Sequence, residues 1–156
     1  MAAFSDFAEN KIIDWFMRGQ ALGITGASAA AGTGMANVYV GLLTAAPTDS
    51  TAGTEATGGS YARVTVACTL ANWAGTQGAG TSVASSGTGG TTSNNNAVTF
   101  PTPTANWGIV THTALYDATS GGNLIAYGTL TTAKTINALD AAPSFAAAQL
   151  TFQIDN

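Results

Sequence analysis

Charge is what this sequence has least of. Among 156 residues there are four Lys or Arg and eight Asp or Glu, with a single His, a single Cys and four Pro. Charged side chains make up 8 %, about a third of the usual share near 25 %. With a net charge of −4 there is no basic footprint for a phosphate backbone, which excludes nucleic acid as a partner. So little charge also leaves little to hold copies apart in solution. The surface is expected to be rich in hydroxyls and glycine, or covered by partners, and both suit a component of an assembly. The lone Cys68 excludes an intramolecular disulfide and a cysteine-based metal site. Together with the lone His112 it cannot close a zinc site either. No apolar run approaches the roughly 18 residues that span a bilayer, and the opening residues are neither basic nor followed by an apolar core of signal type. No membrane role is therefore expected.

What charge there is gathers at the front. Five of the twelve charged residues fall within "FSDFAENKIIDWFMRGQ", residues 4–20. Ser5 and Asp6 are good N-cap residues, and Asp6 with Glu9 has capping-box spacing. Gly19 offers the stop. On a helical wheel Phe4, Ala8, Ile12, Trp15 and Phe16 make one broad apolar face. Asn10, Lys11, Asp14 and Arg18 make the polar one, with Asp14 and Arg18 at i,i+4 spacing. Ile13 and Met17 fall outside the main stripe, so apolar surface remains after one face is buried. The expectation is a docking helix over 1–20, presenting Phe4, Phe7, Ile12, Ile13, Trp15, Phe16 and Met17 to another protein.

Residues 21–36 carry no charge and no clear period and are expected to be a flexible connector. A strand is predicted at 37–44. "YARVTVACTLANW" alternates, with Ala62, Val64, Val66, Cys68 and Leu70 expected on the core side. Residues 75–96, "GTQGAGTSVASSGTGGTTSNNN", are low in complexity and predicted to be a flexible surface loop or an arm. A short strand precedes Phe100, and a longer one is predicted at 107–116. "ATSGGN" turns the chain into "LIAYGTLT", so 109–130 reads as a hairpin. "KTIN" and "AQLTFQI" offer two further short strands. Short strands separated by turn signals indicate a mainly β fold: an antiparallel, jelly-roll-like β-sandwich over 37–156 behind the N-terminal helix.

No catalytic constellation emerges. His112 lies in a strand pattern with no nucleophile elbow or cysteine context to partner it. The acidic residues outside the helix, Asp49, Glu55, Asp117, Asp140 and Asp155, fall in turns or at the end of the sequence, where Asp serves local hydrogen bonding. They make no convincing glycosidase pair. Glycines 32, 34, 87, 89 and 90 lack the Gly-Lys-[Ser/Thr] ending of a phosphate loop. Trp73 and Trp107 read as core plugs at strand ends rather than as a sugar-stacking platform. A non-enzymatic protein without cofactor or metal is the expectation.

The pieces "FSDFAENKIIDWFMRG", "VYVGLLTAAPTD", "GGSYARVTV", "TSNNNAVTFPTPTANWGIVTHTALYDATSGGNLIAYGTLTTAKTI" and "DAAPSFAAAQLTFQID" run in order through nearly the whole chain. Together they resemble a family of small tailed-bacteriophage virion structural proteins, tail-fibre-like or head-decoration-like. The resemblance implies a virion location after assembly in the host cytoplasm. It implies partners among the major capsid or tail proteins, and a homo-oligomer. It transfers no catalytic residue. A small domain with one helix, long uncharged arms and no shaft-like repeat points first to a capsid decoration or cement protein. The alternative is a tail-fibre or tail-adaptor module involved in host attachment.

Overall fold

The computed structural model of the chain describes residues 4–24, 34–48 and 50–154. One helix, α1 (Asp6–Arg18), precedes the strands β1 (Asn37–Ala45), β2 (Thr54–Glu55), β3 (Val64–Ala67), β4 (Thr91–Ser93) and β5 (Val98–Thr99). After these come β6 (Gly108–Tyr116), β7 (Leu124–Ile136), β8 (Ser144–Phe145) and β9 (Thr151–Gln153). The fold is mainly β, with antiparallel pairing of β1 with β2 and β6, of β6 with β7, and of β4 with β9. Five strands share one sheet in the order β2-β1-β6-β7, with β3 also on β1, while β4-β9 and β5-β8 are two-stranded. The paired four-stranded sheets of a jelly roll are not present among the described residues.

The helix starts and stops as its sequence dictates. Ser5, in extended backbone, caps it by accepting a hydrogen bond from the Ala8 N–H, so the cap is Ser5 and not a box of Asp6 with Glu9. Gly19 ends it at φ 66°. A Cβ there would lie 2.5 Å from the Cys68 carbonyl oxygen, so both conformation and space call for glycine. Residues 25–33, the greater part of the expected connector, lie outside the described residues.

The hairpin predicted over 109–130 is present and longer. β6 pairs with β7 from Tyr116↔Leu124 to Gly108↔Ile136, with register shifts near His112 and Tyr116. The "KTIN" strand is therefore the far end of β7. Asp117 organises the turn by accepting from the Asn123 N–H at 2.7 Å and its Nδ2 at 2.6 Å.

The chain divides into two compact units, which cut across the expected boundaries of 1–20, 21–36 and 37–156. The first comprises Met1–Asn37, Ala67–Val98 and Phe145–Asn156, the second Val38–Val66 and Thr99–Ser144. The core of the second includes Leu43, Ala114 and Tyr116, with Tyr39 and Leu124 packed on it. Gly41 permits this packing. A Cβ on it would meet Tyr116 at 3.0 Å, Glu55 at 3.1 Å and Tyr61 at 3.4 Å.

Two stretches differ from their patterns. Of 61–73 only Val64–Ala67 is strand, and Ala62 is exposed while Tyr61 and Arg63 turn partly inward. The segment 75–96, expected to be flexible, carries β4 and the buried side chains of Thr92, Ser93 and Asn94. Hydrogen bonds replace apolar burial there. Asn94 Oδ1 accepts from the Leu150 N–H at 2.8 Å, Asn94 Nδ2 donates to the Ala146 carbonyl at 2.9 Å, and Thr92 Oγ1 donates to the Ala74 carbonyl at 2.6 Å.

Candidate interaction surfaces

In the first unit, α1 buries a face that the helical wheel assigned to solvent. Glu9, Ile13, Asp14, Met17 and Arg18 are its buried residues. Arg18 is 0 % exposed, which a guanidinium tolerates only when its donors are matched. Its Nε donates to the Trp73 carbonyl at 3.0 Å, Nη1 to Ser85 Oγ at 3.0 Å and to Asp14, and Nη2 to the Val83 carbonyl at 2.6 Å. Asp14 in turn accepts from the Ser85 N–H at 2.9 Å and from Ser85 Oγ. One turn earlier, Asn10 donates to the Gly87 carbonyl at 3.0 Å and accepts from Thr76 Oγ1. The polar side of α1 thus clasps the Gly/Ser/Thr segment 76–87.

The seven expected contact residues separate accordingly. Ile13 and Met17 are fully buried and belong to this unit's interior, not to an external surface. Ile12, Trp15 and Phe16 are half-buried, with Phe16 stacked on Phe152 at 6.0 Å between centroids. Phe4 and Phe7 face solvent, 62 % and 58 % exposed, and Lys11 Nζ stands 5.8 Å from the Phe7 ring centre. The outward apolar surface at this end is therefore Phe7 in the first turn and Phe4 just ahead of the cap.

In the second unit the polar centre is Arg63. Its Nε and Nη2 donate to the two Glu55 carboxylate oxygens at 2.8 and 2.7 Å, and Nη1 donates to the Ala118 and Gly121 carbonyls. The guanidinium lies 3.4 Å from the centre of the Tyr116 ring, a desolvated cation–π geometry. Tyr61 donates to Glu55 at 2.8 Å and sits edge-on to Trp107, whose Nε1 donates to the Gly59 carbonyl at 3.0 Å. Burial foremost pushes the Tyr61 phenol well above its usual range. Sequence reasoning missed both networks. The only signals were an i,i+4 Asp–Arg pair and an Arg in an alternating strand pattern.

His112 is half-buried on β6 with its Nδ1 2.8 Å from Thr111 Oγ1. Cys68 is buried, and that burial raises its thiol to about 11. Asp117 is committed to Asn123, and Glu55 to Arg63 and Tyr61. Trp73 and Trp107 are buried, as the core reading expected. Among the described residues no His, Cys, Asp or Glu cluster could hold a metal ion, and no helix is long and apolar enough to cross a membrane.

No curated protein matches the chain significantly. One family model, described as podophage GP4 fiber I protein gp80, matches residues 3–153.

Proposed function

The chain belongs to the podophage GP4 fiber I protein family, a family of tailed-phage virion structural proteins, and from this we propose that it is a fibre component of the phage tail that contributes to host attachment. The observation carrying this reading is the span of the match. It takes in α1 and the nine strands found among the described residues, so the resemblance runs through every described element. The same finding favours the fibre role over the capsid-decoration role expected first.

The work is done by protein–protein contact, without catalysis. Phe7 in the first turn of α1 and Phe4 just ahead of its cap are the residues placed to meet another virion protein. Burying each contributes roughly 1.5–3 kcal/mol, against about 0–1 kcal/mol for an exposed ion pair. The test is antibody–gold labelling of purified particles together with quantitative counting of copies. Label confined to the tail region, with a few to a few dozen copies per particle, is expected. Uniform label over the head with hundreds of copies would return the protein to the shell.

A further inference from the structure

The second unit carries a groove that neither network uses. It has a volume of about 620 Å³ and lies between the loop bearing Thr48, Ser50 and Thr51 and the start of β7, where Asn123, Ile125 and Tyr127 line it. That volume falls within the roughly 300–1,000 Å³ typical of small-ligand sites. Its lining is mixed. Leu124, Ile125 and Ala126 are apolar, whereas the opposite side is hydroxyl. Thr48 Oγ1 lies 2.8 Å from Thr51 Oγ1 and 3.4 Å from Ser50 Oγ. Thr48 Oγ1 also accepts from the Ser50 and Thr51 N–H groups at 3.3 and 3.1 Å, so it shapes the loop. The further bonding capacity lies with the Ser50 and Thr51 hydroxyls, which can both donate and accept.

Two groups at the groove have capacity in hand. Asn123 spends its amide N–H₂ on Asp117, which leaves its carboxamide oxygen as an acceptor. Tyr127 is 44 % exposed, and its ladder neighbour is Ala114, too small to cover the ring. Among the described residues its hydroxyl has no hydrogen-bond partner. Neither Lys nor Arg lines the groove among the described residues. An anion would need a guanidinium, an ammonium or converging amides, and a purely apolar ligand would strand the hydroxyls unpaired. What fits is a neutral molecule with many hydroxyls and one apolar face to lay on an aromatic ring.

We propose that this groove is a binding subsite for a neutral saccharide, with Tyr127 as the stacking face and Ser50, Thr51 and Asn123 as hydrogen-bonding groups. The proposal deepens the attachment role and rests on it, but it can fail separately. An extended peptide would instead add along the whole outer edge of β7 by main-chain bonds, and the groove occupies only its first residues.

The test is a titration of the full-length ¹⁵N-labelled protein with delipidated polysaccharide from the host envelope, split into neutral and acidic fractions. The neutral fraction is expected to shift the amide resonances of 50–52 and 122–127. Tyr127→Ala should weaken binding at least tenfold, while Tyr127→Phe stays within about threefold. Thr51→Trp, which fills the groove from its exposed rim, should abolish binding with the far-UV spectrum unchanged. The proposal is overturned by silence with the neutral fraction, by a response to the acidic fraction alone, or by binding that survives Tyr127→Ala and Thr51→Trp. Shifts along all of β7 on adding another tail protein, without any from polysaccharide, would make the surface a protein site instead. If tail labelling succeeds and the titration fails, the fibre role stands and the saccharide site falls. Head labelling with a positive titration means the reverse.

Discussion

At the scale of single residues, the consequential one is Arg18. Its hydrogen bonds are all buried or part-buried, so removing it leaves the buried Asp14 without its ion-pair partner. Arg18→Met is expected to destabilise the protein by about 3–5 kcal/mol, read as a lower midpoint in urea. Adding Asp14→Leu should recover part of that loss, because the stranded charge disappears with it. A single variant within ~1 kcal/mol of the parent would show that the network is not coupled to stability. Cys68 makes a second test, on pH. Its thiol goes from 9.0 to about 11 on folding, so the folded state holds the proton more tightly. That contribution is complete below pH 9 and is lost as pH rises from 9 towards 11. Tyr61 is shifted in the same direction. Thermal stability should therefore fall across this alkaline window, and Cys68→Ala should flatten the fall. An unchanged slope in that variant would assign the whole effect to other groups.

At the scale of elements, α1 is an integral part of the first unit. Its burial of Ile13, Met17 and Arg18 means that deleting residues 1–20 should unfold that unit, not release an intact β domain. Loss of the dispersed amide spectrum from 67–98 is the expected readout. Gly19→Ala tests the exit of the helix more finely. A left-handed conformation costs a non-glycine residue about 1–2 kcal/mol, and the approach to the Cys68 carbonyl adds to it. A shift smaller than that in denaturant would mean the backbone there relaxes freely. The β6–β7 hairpin, by contrast, was legible in advance. Alternation on both sides of "ATSGGN" specifies a turn, and Asp117 supplies its hydrogen bonds locally, within six residues.

At the scale of the whole molecule, low charge governs association. Contacts made by apolar burial are weakly screened, whereas exposed ion pairs fade with salt. The protein is expected to stay on its particles in molar NaCl, while Phe4→Ser with Phe7→Ser should shed it at moderate salt without loss of fold. Complete release of the parent protein by NaCl alone would show that charge holds it. Both phenylalanines are exposed, so the double variant separates attachment from stability in a way that Ile13 or Met17 cannot.

Read alone, the sequence settles the local features: where α1 begins and ends, the mainly β class, the hairpin, and the burial of Trp73 and Trp107. These follow from caps, periods and turn residues acting over a few positions. It also carried the family, through motifs running the length of the chain. Long-range packing sets which side of α1 faces inward, the hydrogen bonds that tie 75–96 to the rest of its unit, and the turn of Arg63 towards Glu55. Each depends on partners brought together by the fold. Asp14 meets Ser85 across 71 residues, and Arg18 reaches Val83 across 65. A polar residue reads as solvent-facing until its buried partner is known, because only a full set of hydrogen bonds offsets its desolvation.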